Sequence, residues 1–176
     1  MGVTTIAAAD LKKVPGLEKY SPRRVIPFVV MPDGSSLLEF GAIVMYILET
    51  YDKSHKFHPT IGHRNRAKFF QGLFFVATEA YKAVVPVFLL CFNMKHHDRD
   101  QEKLKPAKKK FTEDVIGHLE KELNYDYYMG EFSAIDIMFT YVLTLADMVQ
   151  EDLVTGKAQE YLQRLHTRES YSKVYS

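Results

Sequence analysis

The sequence contains one cysteine, Cys91, among its 176 residues. A single cysteine excludes a disulfide within the chain, and no Cys-x-x-Cys pair or Cys/His ligand spacing indicates a zinc site. A chain without disulfides fits a reducing compartment. The N-terminus lacks the basic start and the long apolar core of a secretory signal, so we expect a cytoplasmic protein.

The sequence has almost no net charge. Lys and Arg number 23, Asp and Glu number 22, and the formal net charge is +1. No bulk field attracts the chain to nucleic acid or to an anionic membrane. The lysines at 108–110 are followed by acidic residues and have no interleaved aromatic platform, so they indicate a solvated helix surface. His96-His97-Asp98 are adjacent residues, which do not converge on one ion, so we predict an exposed loop there and no metal site.

Short strand patterns separated by turn signals occupy the first 52 residues. Residues 3–7 are apolar and β-branched and are a candidate strand. Residues 25–31 precede a Pro-Asp-Gly-Ser turn signal and a second apolar segment at 36–38, which predicts a β-hairpin. The apolar spacing over residues 39–51 predicts a helix. The polar segment that follows predicts a boundary between residues 1–52 and residues 53–176.

Residues 64–92 have apolar side chains at helical spacing, and Pro86 is predicted to kink or divide this helix. Residues 73–92 are also long enough for a membrane span. Glu79 and Lys82 argue against a span, because each ionisable group near its centre costs roughly 2.5 to 3.5 kcal/mol. We therefore predict a buried core helix and no membrane span. Residues 93–107 are predicted as a polar connection, and residues 157–168 as a short amphipathic helix.

Residues 130–137 predict how one buried helix begins. Ser133 is the predicted N-cap, with its hydroxyl accepting from a backbone N–H two or three residues on, and Asp136 is predicted to accept from the Ser133 N–H. Phe132 and Ile137 have the spacing of a hydrophobic staple. The following residues are apolar on more than one face, which is typical of a central helix.

Three separated motifs, in this order, resemble the glutathione transferase superfamily: a strand led by Ile26-Pro27, a Glu-x-Gly-Ala-Ile helix start at Glu39, and a Gly-x-Phe-Ser-x-x-Asp cap ending at Asp136. The resemblance implies a mostly α fold with a small α/β part. An incomplete thioredoxin-like, glutathione-binding domain (1–52) would precede an all-helical C-terminal domain (53–176). It further implies a homodimer that acts in detoxification, with glutathione as co-substrate, a hydrophobic electrophile as the second substrate and no other cofactor.

The resemblance also assigns four glutathione-binding residues. Pro27 would be a cis-proline, and the backbone of Ile26 would pair with the cysteinyl backbone of glutathione as an added strand. Glu39 would hold the amine of the γ-glutamyl group, and N–H groups at the helix start, including that of Phe40, would hold its carboxylate. Two plainer interpretations remain: Glu39 as an acid placed in a helix's first turn, and Pro27 as a strand-starting proline.

Two departures from the family pattern predict weakened or lost catalysis. Phe40 stands where a serine is usual, so a hydrogen bond to the charged carboxylate, worth roughly 1.5 to 3 kcal/mol, is lost. The family's catalytic Tyr, Ser or Cys follows a first strand, and this sequence is expected to be an N-terminally truncated member that begins after both. Tyr20 and Ser21 are not at a predictable helix N-terminus, where a hydroxyl could stabilise a thiolate. Cys91 fits core packing better than it fits a nucleophile, so the catalytic residue stays unknown.

Three functions are consistent with this pattern. The first is a glutathione transferase that conjugates reduced glutathione to electrophiles. The second is a non-catalytic transferase-like module that mediates assembly, as similar domains do in elongation factor gamma subunits. The third is a truncated or alternatively started product of an enzyme.

Overall fold

The computed structural model describes residues 16–23, 25–92, 94–149 and 152–175. The chain forms two compact units, Met1–Lys53 and Ser54–Ser176. The candidate strand at residues 3–7 lies outside the described residues.

A two-stranded antiparallel sheet and a helix organise the described part of the first unit. Strand β1 (Phe28–Val30) pairs with β2 (Ser36–Leu38), and Phe28 lies opposite Leu38, so the predicted hairpin is confirmed. Strand β1 starts later than predicted, since Pro27 has no N–H to donate to a ladder. A short helix, α1 (Leu17–Tyr20), precedes the hairpin. Helix α2 (Phe40–Tyr51) follows it and packs against both strands.

The hairpin turn is set by an aspartate and a glycine. Gly34 has a φ of 82°, a left-handed conformation that glycine adopts at no steric cost. Asp33 Oδ1 accepts hydrogen bonds from the Oγ and the N–H of Ser35, at 2.6 and 2.9 Å. The hydroxyl first, and then the N–H, lower the pKa of Asp33 below its ordinary value.

The regular elements that the structure describes in the second unit are all helical. A π-helical segment joins the first two helices at Phe75–Ala80, and another joins the third and fourth at Thr112–Ile116. The helices are α3 (Arg66–Phe74), α4 (Tyr81–Cys91), α5 (Gln101–Phe111), α6 (Gly117–Glu122), α7 (Ala134–Val149), α8 (Gly156–His166) and α9 (Glu169–Tyr175), with a 3-10 turn at His96–Asp98.

The long helix predicted at residues 64–92 is observed as a continuous run, Arg66–Cys91. Pro86 does not divide the helix, because α4 continues through it, and the alternative of a kink at Pro86 stays a prediction. Proline has no N–H to donate to the carbonyl of Lys82, four residues earlier. Pro86 and Lys82 both lie on the exposed face, where water can donate to that carbonyl instead. The irregularity instead is the π-helical segment Phe75–Ala80.

By length and composition this run could cross a membrane, a test that the core helix of a soluble protein also passes. One face of the run is buried in the second unit, where Phe69, Leu73 and Val76 are each 0% exposed. The opposite face carries Glu79 and Lys82 in solvent. This distribution is that of an amphipathic helix with one face packed in the second unit, and 33% of its most apolar window is buried, so the prediction of a buried core helix was too strong.

Helix α5 begins inside the segment predicted as a polar connection. Asp100 is its N-cap, and Asp100 Oδ1 accepts from the Lys103 N–H at 3.2 Å. The Lys103 side chain hydrogen-bonds to the same carboxylate, and these contacts lower the pKa of Asp100. The prediction of a connection over residues 93–107 was wrong from Gln101 onward. The first turn of α5 is mostly polar and charged, so only the N-cap Asp100 indicates in the sequence that a helix begins there.

Helix α7 is the centre of the second unit, as its apolar pattern predicts. It contacts α3, α4, α8 and the first π-helical segment. Ile135, Phe139 and Val142 are 0% exposed. At Gly72 an added Cβ would lie 2.7 Å from Tyr128 Cε1 and 2.8 Å from Ile135 Cδ1, so only glycine allows this close approach of α3.

Candidate functional site

Glu39 stands directly before α2 in an unusual backbone conformation. Its φ is 74° and its ψ is 118°, which is sterically costly for a residue with a side chain. Its side chain does not cap the helix. It is 72% exposed, and Glu39 Oε1 accepts from Arg23 Nη2 at 2.7 Å. The fold thus presents a carboxylate to solvent at the positive end of a helix.

The other three predicted glutathione-binding residues lie in the same unit. The Ile26–Pro27 peptide bond is cis, as the resemblance implies. Ile26 is 48% exposed and immediately precedes β1 with Pro27. Phe40 is the first residue of α2. Arg23, the ion-pair partner of Glu39, was not identified from the sequence, because a separation of 16 residues carries no local signal.

Asp136 organises the start of α7. It is 0% exposed, and its Oδ2 accepts from the Ser133 N–H at 2.7 Å and from the Ser133 hydroxyl at 2.8 Å. Its Oδ1 accepts from the Tyr128 N–H at 2.9 Å and from the Tyr161 hydroxyl. Four donors therefore surround one buried carboxylate. This arrangement stabilises the fold and leaves no acceptor site on the carboxylate for a ligand.

Two details differ from the expected cap. The Ser133 hydroxyl donates to Asp136 rather than accepting from a backbone N–H, because a charged carboxylate is the stronger acceptor. Phe132 packs on Tyr127 and Phe57, with ring centroids 5.3 and 6.1 Å apart, and lies under the Arg168 guanidinium. Ile137, its expected staple partner, is 51% exposed.

A second polar contact joins α6 to the loop before α7. His118 Nε2 lies 2.9 Å from the Tyr128 hydroxyl, and the His118 ring stacks on Phe75 with centroids 3.8 Å apart. Burial lowers the pKa of His118. Burial also raises the pKa of Tyr128 to about 12. At neutral pH a neutral imidazole therefore shares a hydrogen bond with an un-ionised phenol.

The residues considered as nucleophiles or thiolate-stabilising groups are not placed for that role. Ser21 is 0% exposed, and its Oγ donates to the Val25 carbonyl and accepts from the Val25 N–H, both at 2.9 Å. Cys91 is 2% exposed at the end of α4, so its thiol is part of the core. Tyr20, half-buried, ends α1 rather than beginning a helix.

An open pocket of about 410 Å³ lies at the start of the second unit. Its walls include the side chains of three histidines, two cations and one carboxylate. They are His55, His58, His63, Lys56, Arg64 and Glu131. The sequence prediction missed this pocket, although His55 and His58 have a His-x-x-His spacing that could have indicated it.

No protein-family model matches the sequence, and no curated protein matches it. The fold does match solved structures. Glutathione transferase URE2P5 from Phanerochaete chrysosporium is 21% identical, with a TM-score of 0.79 over 97% of this chain and 79% of that one. A glutathione S-transferase-like protein from Lodderomyces elongisporus is 21% identical, with a TM-score of 0.77 over 94% and 78%.

A sphingomonad glutathione S-transferase, solved in complex with glutathione, is 22% identical, with a TM-score of 0.75 over 96% of this chain and 82% of that one. These matches confirm the predicted fold class, a small α/β part followed by an all-helical part. The chain has the fold of the glutathione transferases.

Proposed function

We propose that the chain is a cytoplasmic glutathione transferase-like protein that binds reduced glutathione on its first unit and has weak or no conjugating activity. The observation that carries the proposal is Glu39, which is held at a φ of 74° with its carboxylate in solvent before α2. Strained backbone of this kind persists where the surrounding fold imposes it and is concentrated at ligand clamps. The glutathione complex of a structure with the same fold supports this ligand.

The chemistry of the site fits the tripeptide. Glu39 would accept hydrogen bonds from the γ-glutamyl amine, and N–H groups at the start of α2 would bind the γ-glutamyl carboxylate. Ile26 and Pro27 would present the backbone that pairs with the cysteinyl residue. The ion pair of Glu39 with Arg23 is solvent-exposed and contributes little stability, so the ligand can displace it.

A substitution of Glu39 by Gln tests the binding site. Loss of a charge-assisted hydrogen bond, worth roughly 1.5 to 3 kcal/mol, should raise the Kd for reduced glutathione about tenfold to a hundredfold. Calorimetric titration measures the change. Glu49→Gln is the matched control, because Glu49 is exposed near the other end of the same helix. Equal affinities for the two variants, or no heat with the unmodified chain, would refute the site.

Phe40→Ser is the complementary test. It introduces the hydroxyl that the family pattern has after the acid, so it should tighten glutathione binding where Glu39→Gln weakens it. An unchanged Kd in Phe40→Ser would argue against the orientation proposed for the γ-glutamyl carboxylate.

Conjugation is a separate question, because catalysis requires a group that stabilises the thiolate. Among the described residues, Ser21 and Cys91 are buried and provide no such group. We expect turnover of a chlorodinitrobenzene-type electrophile to be close to the uncatalysed thiol reaction. A rate well above that background would show that the chain is a competent transferase.

A second candidate function is a non-catalytic module that mediates assembly with other proteins or with a second copy. It is favoured by exposed apolar side chains on the long helix, with Phe74 53% exposed and Leu89 67%, and by Phe92, 46% exposed, directly after it. We propose a homodimer that uses α2 and this helix. Retention of a stable protein partner without retention on immobilised glutathione would favour the module over the transferase.

A further inference from the structure

We propose that His55 and His58 form a binding site for a divalent transition-metal ion, with Zn²⁺ as the representative ion. Imidazole nitrogen is a preferred ligand of such ions. The proposal concerns the pocket of the second unit and is independent of glutathione binding.

The distance between the two imidazoles carries the proposal. His55 Nδ1 and His58 Nε2 are 3.2 Å apart. Two nitrogens that each lie about 2.0 to 2.1 Å from one tetrahedral zinc ion are roughly 3.3 Å from each other. In the ion-free chain this is the separation of an N–H···N hydrogen bond, and two ligands of a single ion can take it with little movement.

The orientation of the rings agrees with this separation. Their centroids are 4.7 Å apart and their planes are tilted by 56°. An in-line N–H···N hydrogen bond would add a full ring radius at each end and would place the centroids farther apart. The two nitrogens thus meet at an angle, and a small rotation of the exposed His55 ring would direct both of them at one ion.

The backbone holds this arrangement. His55 has a φ of 53°, a left-handed conformation that few residues with side chains adopt. His58 is 5% exposed and packs near Phe69, with ring centroids 6.4 Å apart, so its ring is fixed. One ligand is therefore rigid, and the other is exposed and can adjust when the ion enters.

Proton balance is simple. In the ion-free pair one ring donates its N–H to the other, so one of the two facing nitrogens carries a proton. Binding requires both nitrogens to be free of protons. In a neutral pair the shared proton moves to the other nitrogen of its own ring, and from a ring protonated on both nitrogens it leaves to solvent. The ion then forms two N–metal bonds to neutral imidazoles.

The affinity should be lower than that of a four-ligand structural zinc site. In the part of the chain that the structure describes, no group of three or more His, Cys, Asp or Glu side chains converges on one point. Water would fill the remaining positions. Lys56 and Arg64 also line the pocket and oppose a cation, whereas Glu131 in the same wall favours it.

The test is zinc binding by the full chain, purified without a histidine tag and without glutathione, which itself binds zinc. Equilibrium dialysis should give one Zn²⁺ per chain, and His55→Asn should weaken binding at least tenfold. Asn tolerates the left-handed backbone at this position, so the variant should fold. His58→Gln should have the same effect.

The matched control is the double variant His96→Gln with His97→Gln, since both residues are exposed and lie outside the pocket. It should bind Zn²⁺ as the unmodified chain does. Electron paramagnetic resonance with Cu²⁺ should show two coupled nitrogens in the unmodified chain and one in His55→Asn. No zinc binding, or equal losses in the control and in His55→Asn, would overturn the proposal. If His58→Gln fails to fold, His55→Asn and the resonance spectrum decide.

Discussion

At the scale of the residue, a few buried polar groups determine how the second unit responds to substitution. Asp136 accepts four hydrogen bonds while fully buried, and Tyr161, one of its donors, is also fully buried. Burial, together with the Asp136 charge, raises the pKa of Tyr161 well above its ordinary value, so this phenol remains a donor.

Asp136→Asn should lower the free energy of unfolding by about 3 kcal/mol. Each oxygen of the Asp136 carboxylate accepts from two donors, and an amide nitrogen in place of one oxygen cannot accept. Two buried donors therefore lose their acceptor. Urea denaturation measures the loss. Asp126→Asn is the control, because the Asp126 side chain is 76% exposed in its ion pair with Arg164 and should change stability by less than about 1 kcal/mol. Similar losses in both variants would contradict the role assigned to Asp136.

His118 should make stability depend on pH. Burial lowers its pKa in the folded state, so below the ordinary value of 6.5 the unfolded chain binds a proton more readily than the folded chain does. Stability should therefore fall as the pH decreases from about 7 through 6.5, until the folded-state pKa is reached.

Replacing His118 by Gln should reduce this decrease, whereas His97→Gln, at an exposed site, should leave it unchanged. Denaturation midpoints at several pH values between 5 and 8 provide the measurement. A pH dependence that is identical in His118→Gln and the unmodified chain would show that another group is responsible.

At the scale of the element, α6 and α8 cap one another. Glu120 Oε1 accepts from the Lys157 N–H at 2.6 Å at the start of α8, and Lys157 Nζ donates to the Glu120 and Leu123 carbonyls at the end of α6. Gly156 allows this contact. Its φ is 59°, and an added Cβ would lie 2.2 Å from Glu120 Oε1.

Gly156→Ala should lower the free energy of unfolding by about 1 to 2 kcal/mol, since alanine resists a positive φ and displaces the Glu120 carboxylate from the Lys157 N–H. Glu120→Ala removes the same cap. The double variant should lose less stability than the two single losses combined, because both act on one contact. Urea denaturation measures the three losses. If the losses of the two single variants add fully in the double variant, Gly156 and Glu120 do not act through the same contact.

Local sequence signals predicted those elements whose determinants are close in the chain. The hairpin followed from Asp33 and Gly34, and the start of α7 from Ser133 and Asp136. The π-helical segments had no such signal in the sequence. They contact each other, and Phe75 in the first stacks on His118, just after the second. In the candidate site Glu39 could be predicted, whereas Arg23 could not, because only folding brings them together.

At the scale of the whole molecule, the exposed apolar side chains on the long helix are the surface that the proposed homodimer would bury. Phe74→Glu should weaken the proposed homodimer and shift light-scattering masses toward the monomer, because a charge cannot be buried in an apolar contact without cost. Gln163→Glu, an exposed change on α8, should not alter the mass. A monomer in all three proteins, or a dimer unaffected by Phe74→Glu, would exclude this surface as the dimer interface.

The buried position of Cys91 has a practical consequence for solution work. It is the only cysteine in the sequence, and it is 2% exposed. Sulfhydryl reagents such as Ellman's compound should therefore report the free tripeptide without a background from folded protein, so its consumption can be followed directly in the reaction mixture. A cysteine introduced at a surface site would likewise be the sole target for a maleimide dye.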